Sequence, residues 1–435
     1  MTSDEKARPK RLLILASKLG YQTRGFADAA EKLGVELLFG TDRCQKLDDP
    51  WGDGAIPVHF ESPQQAAAHL VLHLHEKLPD AVLALGDRAT ATAAYVAAAL
   101  NRPGNPPEAV EKCRNKHRQR ETLRAAGVPV PDFFSFRFDE DPSTVLPRVK
   151  FPCVVKPLSL AASQGVIRAD NAAEFSAAVH RIRGLLESPE IRVTREQTLD
   201  QLLVESYIPG KEFSLEGLLD SGRLRVLAIF DKPDPLEGPF FEETLYVTPS
   251  RLSQIEQSSL VDCAARAVGA LGLVEGPLHA EFRLNEEGPW VIEAALRPIG
   301  GLCSRALRFG PERIYLEELL VRHALRLERS DLLREEAASG VMMIPVPRSG
   351  IFERVLGLDE AERTPGVEEI RITARLRDYV AAWPEGSSYL GFIFARGSTP
   401  EEVEAALRSA HARLHFMFSP RLPVEHPVTG WVSSS

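Results

Sequence analysis

The sequence predicts a multidomain protein of mixed α/β and α+β class. Three observations lead there. A chain of 435 residues is too long for one typical domain, and two to four is the natural division. Up to the Pro/Gly/Asn-rich stretch "NRPGNPP", buried strand-like runs alternate with helical runs. That alternation implies a parallel sheet with crossover helices. Beyond it, short strands joined by tight turns dominate, and a last segment mixes strands and helices.

In order, "RLLILA" (11–16) reads as a buried strand, "GFADAAEKLG" as a helix and "VELLFG" as a second strand. "DAVLALGD" is another buried strand, followed by the Ala-rich helix "ATATAAYVAAAL". Gly20 follows the first strand, where ligands dock in open α/β sheets, but no GxGxxG surrounds it. Residues 108–126 read as one charged helix stopped by Gly127. "VPVPDFFSF" runs extended, "FPCVVKP" is a short strand ended by Pro157, and "LSLAASQGVIRA" is a small-residue loop leading into a strand. An amphipathic helix over 172–187 follows. "LLVESYI", "EFSLEGLLD" and "RLRVLAIFD" are strands, the last two joined at Ser221-Gly222. Helices over 251–271 and 311–327 flank a hairpin, and "VMMIPVP" opens a final α+β segment ending in "VSSS".

Composition narrows the function classes. Apolar content of 44% and charged content of 26% fit an ordinary soluble protein. A net charge of −9 excludes nucleic acid as a bulk electrostatic partner. No apolar run is long enough to span a bilayer, and the charged "MTSDEKARPKR" is not a secretory signal. Cys44, Cys113, Cys153, Cys263 and Cys303 are scattered without CxxC, which fits reduced thiols in a cytoplasmic protein. Cys303 reads as a small buried thiol in preference to a nucleophile, since spacing implies no partner His.

The chemistry concentrates in "GPLHAEFRLNEEGPWVIEAALRP". Glu281 and Glu293 end two apolar runs joined by an Asn-Glu-Glu-Gly turn, a hairpin pattern. The two acids then sit side by side at one end, a Mg²⁺ site for a nucleotide or else a solvated surface hairpin. Arg297 follows. Upstream, Lys116 lies on the charged helix, and Lys156 ends a strand before the loop Ala161-Ala162-Ser163-Gln164-Gly165. That loop offers backbone N–H groups and a hydroxyl to phosphate oxygens. "LLVESYIPGKEF" is a strand edge with Glu205, Ile208 and Glu212 around a Pro209-Gly210 turn.

Lys116, Lys156 with its loop, Glu205-x-x-Ile208-x-Gly210-x-Glu212, Glu281, Glu293 and Arg297 stand in an order that resembles the ATP-grasp superfamily of carboxylate–amine ligases. "SSYLGFIFARG" resembles the small cap of its L-amino acid ligase branch. The resemblance implies an ATP-grasp fold in three parts. These are an N-terminal α/β domain over 1–112, a core over 113–332 with a lid subdomain over about 131–205, and a C-terminal cap over 333–435. It also implies roles. Lys116 and Lys156 bind ATP phosphates, and Ser163, Gln164 and Gly165 lie in the lid loop. Glu205 and Ile208 bracket adenine, and Glu212 holds the ribose. Glu281 and Glu293 bind Mg²⁺, with Mn²⁺ as a substitute, Arg297 faces the acyl phosphate and the tetrahedral intermediate, and Arg297 and Lys156 are the catalytic pair. Family members are often dimers, so a homodimer is the expectation by analogy.

Two departures from the family pattern stand out. Ala295 occupies a position that is often a metal-ligating Asn. Ala161-Ala162 replaces glycine in the lid loop and should stiffen it, because Ala avoids conformations open to Gly.

For the substrates, a small carboxylate and an amine, the reading stays open at several residues. Glu243, in the segment that also carries Lys232 and Glu242, either holds an amine or belongs to an exposed acidic loop. Arg305 binds a substrate carboxylate or pairs with a neighbouring acid. His279 shares a strand face with Glu281 and lines the site or packs beside it. Gly300 and Gly301 permit close backbone approach to a ligand. The alternatives to a ligase are a biotin-carboxylase-like carboxylation and a non-catalytic nucleotide-binding module.

Overall fold

The computed structural model describes residues 8–17, 21–42, 55–327 and 333–420. Gly20, Cys44 and the tail "VSSS" lie outside them. The chain opens with β1 (Arg11–Ala16), α1 (Tyr21–Leu33), β2 (Glu36–Thr41), β3 (Ala55–Pro57), α2 (Pro63–His73), β4 (Ala81–Leu85) and α3 (Asp87–Ala99). The strands form a parallel sheet of order β3-β2-β1-β4. Leu12, Ile14 and Ala16 pack with α1 residues such as Phe26, whereas Leu13 and Leu15 pack with α2 and α3. Burial on both faces is why β1 is a continuous apolar run. The strand order reverses direction between β1 and β4, so the carboxyl ends of those strands open a crevice. Asp87 stands at that mouth.

The charged helix expected over 108–126 is two helices, α4 (Pro107–Arg114) and α5 (Lys116–Ala125). Asn115 breaks them because its side chain accepts from the backbone N–H groups of His117 and Arg118, an N-cap that starts a helix afresh. Lys116 is therefore the first residue of a new helix.

A smaller unit follows: β5 (Phe133–Arg137), the short α6 (Pro142–Val145), β6 (Cys153–Pro157), β7 (Ile167–Ala169), α7 (Ala172–Glu187), the short α8 (Pro189–Arg192) and β8 (Gln201–Ser206). Its sheet runs β5-β8-β6-β7, with a core of its own in which Phe175, Val179 and Ile182 of α7 pack on Val155 and Val204.

The chain then builds β9 (Lys211–Asp220), β10 (Arg223–Asp231), β11 (Leu245–Thr248), α9 (Gln254–Leu271), β12 (Gly276–Asn285) and β13 (Gly288–Ala295). The small hairpin β14 (Arg308–Phe309) and β15 (Ile314–Tyr315) leads to α10 (Leu316–Ala324), shorter than the helix expected over 311–327. The last segment is β16 (Ala338–Ile344), β17 (Gly350–Leu356), α11 (Leu358–Glu362), β18 (Val367–Ile372), β19 (Tyr379–Val380), β20 (Gly391–Gly397), α12 (Pro400–His411) and β21 (His415–Ser419). One large antiparallel sheet runs β13-β12-β9-β10-β11-β16-β20-β18. The last three strands of that order belong to the C-terminal segment, so this segment continues the central sheet. A separate sheet, β19-β17-β21, lies beside it.

Candidate active site

Strand alternation selects the site face of the central sheet. On β12, Leu278, Ala280 and Phe282 enter the core under α9, leaving His279, Glu281 and Arg283 on the other face. On β9, Phe213 and Leu215 face the same core, which leaves Glu212, Ser214 and Glu216 beside the β12 set. Glu281 pairs in register with Glu293 on β13, as the hairpin pattern predicts. The register then slips, so that Phe282 pairs with Val291 and Ile292 is bulged out. Without that bulge Val291 and Glu293 would share a face. With it, Val291 stays fully buried in the core while Glu293 faces the site.

Helix α5 fixes this geometry from the sheet edge. Gln119 donates to the Ala294 carbonyl and accepts from the Ala294 N–H. Arg120 donates to the carbonyl of the bulged Ile292 and, through Nε, to Glu205 Oε1 at 2.7 Å. These bonds cover backbone groups that an edge strand leaves unpaired. They also carry Lys116 to the site. Its Nζ lies 3.2 Å from Glu293 Oε1 and donates to the Leu160 carbonyl at 2.9 Å.

Lys156 and Glu205 face each other across β6 and β8, with Nζ 2.6 Å from Oε2. Both are buried. Burial tends to raise the Glu205 carboxyl, but Arg120 and Lys156 together hold it below the ordinary carboxylate range. Burial lowers the Lys156 ammonium, with Glu205 opposing.

A second cluster surrounds Lys232. Its Nζ is 2.8 Å from Glu212 Oε1 and 3.3 Å from Glu281 Oε1, and it also donates to Glu243. Oxygens of Glu212, Glu243 and Glu281 all lie within 4.8 Å of one another. Glu212, expected at the ribose, has its second oxygen on Arg283 Nε at 3.1 Å. Glu243 accepts from the Tyr246 hydroxyl at 2.7 Å, and burial pushes its carboxyl up to about 7. Glu281 stays well below the carboxylate range, because Lys232 and His279 outweigh its burial. His279 joins the same face, with Nδ1 2.5 Å from Glu216 Oε1 and Nε2 3.2 Å from Glu281 Oε1. Burial opposes its charge, yet the two acids raise it to about 10.

Arg297 closes the other side. Its Nε donates to Asp87 Oδ2 at 2.9 Å. Asp87 and Glu293 raise the guanidinium above its ordinary value against the effect of burial. Arg305 is drawn elsewhere. It pairs with Glu369 at 2.9 Å, which is the ion-pair reading of that residue. Gly301 has φ +62, and a Cβ there would come within 2.9 Å of the Phe392 ring, whereas Gly300 faces open space. Cys303 is buried and its thiol is raised by that burial, in keeping with a packing role. In the loop after β6, Gln164 donates to the Glu385 carbonyl and Gly165 to the Pro384 carbonyl. Ala162 adopts a left-handed conformation despite its side chain, so the loop takes the shape that glycine would have eased.

The structure thus brings Lys116, Glu281, Glu293 and Arg297 together on one side, Lys156 and Glu205 beside them, and Glu212, Glu243 and His279 along the strand face. Sequence reading missed Asp87, Arg120, Glu216 and the central position of Lys232. Asp87 alone carried a signal, since it stands two residues past the end of a buried strand of a parallel sheet.

Mg²⁺ takes one or two carboxylate oxygens, with phosphate oxygens and water completing its shell, and Glu281 and Glu293 are two such acids on neighbouring strands. The donor set of Glu281 and Glu293 therefore fits that ion, with Lys116 and Lys232 as their present partners.

Comparison with known proteins accords with this geometry. Residues 149–306 match the ATP-grasp domain family, and residues 342–419 match L-amino acid ligase C-terminal domain 2. The uncharacterized protein y4rH of Sinorhizobium fredii is 25% identical over 76% of this chain and 66% of its own length. Alanine–anticapsin ligase of Bacillus subtilis is 27% identical over 64% of this chain and 62% of its own. The match thus spans just under two thirds of these relatives' length. The crystal structure of L-amino acid ligase from Bacillus licheniformis superposes with a TM-score of 0.79 at 29% identity, covering 95% of this chain and all of that one. This chain thus contains an ATP-grasp domain over residues 149–306 and an L-amino acid ligase C-terminal domain over residues 342–419.

Proposed function

We propose that this chain joins a carboxylate, an amino acid in the simplest reading, to an amine at the expense of ATP, releasing ADP and phosphate through an acyl phosphate. The observation that carries the reading is the opposed pair Glu281 and Glu293, with Lys116 on one side and Arg297 on the other. In this scheme Lys116 and Lys156 meet the phosphates under the loop of Ser163, Gln164 and Gly165. Lys156 exchanges Glu205 for a phosphate oxygen, and Arg120 keeps Glu205 compensated meanwhile. Ile208 and the Glu205 strand edge receive the adenine, and Glu212 lies toward the ribose.

Glu281 and Glu293 would hold Mg²⁺, or Mn²⁺ in its place, which supplies charge neutralisation on the phosphates. The buried guanidinium of Arg297 is a fixed cation for the tetrahedral oxyanion that forms when the amine attacks. The loop over the site excludes water from the acyl phosphate. Glu243 and His279 face the substrate side. The Glu243 carboxyl, near 7, suits an amine that must arrive charged and react neutral. Gly300 and Gly301 form the floor, while Arg305, paired with Glu369, stays out of the substrate site.

In this scheme the chain divides into three units near 112 and 332, with a lid over about 131–205, and works in the cytoplasm, a homodimer being the assembly expected by analogy. The C-terminal match favours amide formation over a biotin-carboxylase-like carboxylation.

Nucleotide product analysis tests the proposal. With Mg²⁺-ATP and pooled amino acids and small amines, pool-dependent ADP and phosphate is the expected outcome. AMP and pyrophosphate would overturn the mechanism.

A further inference from the structure

We infer that Trp383, Pro384 and Glu385 form a clasp from the C-terminal segment that positions the loop 160–165 for nucleotide binding. The inference rests on that loop's role in the proposed function and deepens it, because it makes the C-terminal segment part of the nucleotide site.

The loop has an unusual backbone. Ala162 and Ser163 are adjacent and both left-handed, with φ +56 and +53, and Gly165 follows at +72. Non-glycine residues rarely hold that conformation, and a run of two persists only where the surroundings impose it. The internal support is slight: Gln164 N–H to the Ala161 carbonyl at 3.3 Å and Val166 N–H to the Ser163 carbonyl at 3.1 Å.

The remaining support comes from more than two hundred residues downstream. Trp383 Nε1 donates to the Ala162 carbonyl at 3.2 Å. The Gly165 N–H donates to the Pro384 carbonyl at 2.9 Å. The Gln164 side chain donates to the Glu385 carbonyl at 2.7 Å. The Glu385 carboxylate is gripped by Arg181 of α7 in a two-pronged pair, at 2.5 and 2.9 Å. That pair fastens the clasp to the same small unit that carries the loop. Trp383 is itself fixed, buried and packed against Tyr389 with ring centroids 4.9 Å apart. At the loop's other end, Lys116 holds the Leu160 carbonyl. The strained stretch is therefore tied on one side to the Glu293 cluster and on the other to the C-terminal segment.

The clasp can be loosened gently. The Arg181–Glu385 pair is half-exposed, so its removal leaves no buried charge. Trp383→Phe keeps an aromatic ring against Tyr389 and removes the bond to Ala162, at the cost of a small loss of packing volume. The test uses the full chain with the double substitution Trp383→Phe/Glu385→Gln. Two quantities are read: amide hydrogen exchange of peptides over 158–167, and Mg²⁺-ATP affinity by calorimetry. The expected result is exchange faster by about tenfold or more in that loop and affinity weaker by about fivefold or more. Exchange in the β12–β13 hairpin and the melting temperature stay near wild type, which a merely structural role would not predict. Unchanged loop exchange would overturn the clasp. A looser loop with unchanged ATP affinity would overturn its positioning role. Wild-type protein that binds no Mg²⁺-ATP would overturn the nucleotide reading, while the exchange arm still decides whether the clasp holds the loop.

Discussion

Arg297 and Asp87 meet across two sheets: the guanidinium lies just beyond β13, and the carboxylate caps the crevice of the N-terminal parallel sheet. The bond makes the first hundred residues part of the site. Asp87 is held below the ordinary carboxylate range, because Arg297 outweighs the effect of burial. Charge-assisted bonds of this kind contribute about 1.5–3 kcal/mol. Asp87→Asn keeps an acceptor and removes the charge. It is expected to lower kcat by roughly tenfold with little change in KM for ATP and a modest fall in melting temperature. A kcat equal to wild type would show that Arg297 is oriented without it.

Glu293→Gln tests the opposed carboxylates. Glu293 touches Lys116 and faces a half-open site, so an amide there is tolerated by the fold. Turnover is expected to fall by about a hundredfold or more, since neutralisation of developing phosphate charge accounts for several kcal/mol. Circular dichroism and melting temperature should match wild type. Chelation of divalent cations should give the same loss in the wild-type protein, reversed by Mg²⁺ or Mn²⁺. Unchanged turnover in the variant would sink the metal assignment.

Arg120→Met probes the support beneath the site. Arg120 is fully buried and bridges Glu205 to the bulged Ile292 carbonyl. Methionine fills similar space but leaves Glu205 with Lys156 alone and a backbone carbonyl unpaired. Breaking a buried pair in this way costs about 3–5 kcal/mol. Denaturant unfolding should register that loss, and a change below about 1 kcal/mol would mean the pair behaves like an exposed one.

These residues also mark the limits of sequence reading. The parallel sheet, the hairpin and its two acids were legible because apolar runs and turn residues report local structure directly. The break at Asn115 was harder to see, since a capping side chain inside a charged run looks like one more polar residue of a helix. Arg120 and Lys232 were illegible for a different reason. Their partners lie 85 residues away at Glu205 and 20 away at Glu212, and only the strand order brings them together. The bulge at Ile292 likewise depends on pairing register. The ordered motif named residues that the fold gathers on one face, but not which cation each acid holds.

Glu242 supplies a pH test independent of the chemistry. Its Oε1 is buried without a hydrogen-bond partner, and burial pushes its carboxyl up to about 7, against a lowering contact from the Val346 backbone. A carboxyl raised on folding binds its proton more tightly in the native state than in the unfolded chain. Its contribution is therefore fully present below about pH 4.5 and is lost as pH rises through about 7. Partial exposure screens the group, so the loss is at most about 3 kcal/mol and is expected nearer ~1 kcal/mol. Glu242→Gln stays neutral at every pH and escapes it. The variant should melt higher than wild type at pH 8, and the difference should close by pH 4.5. Calorimetric melting at the two pH values decides the matter, and a difference that stays constant between them would place the Glu242 carboxylate in contact with water or a cation.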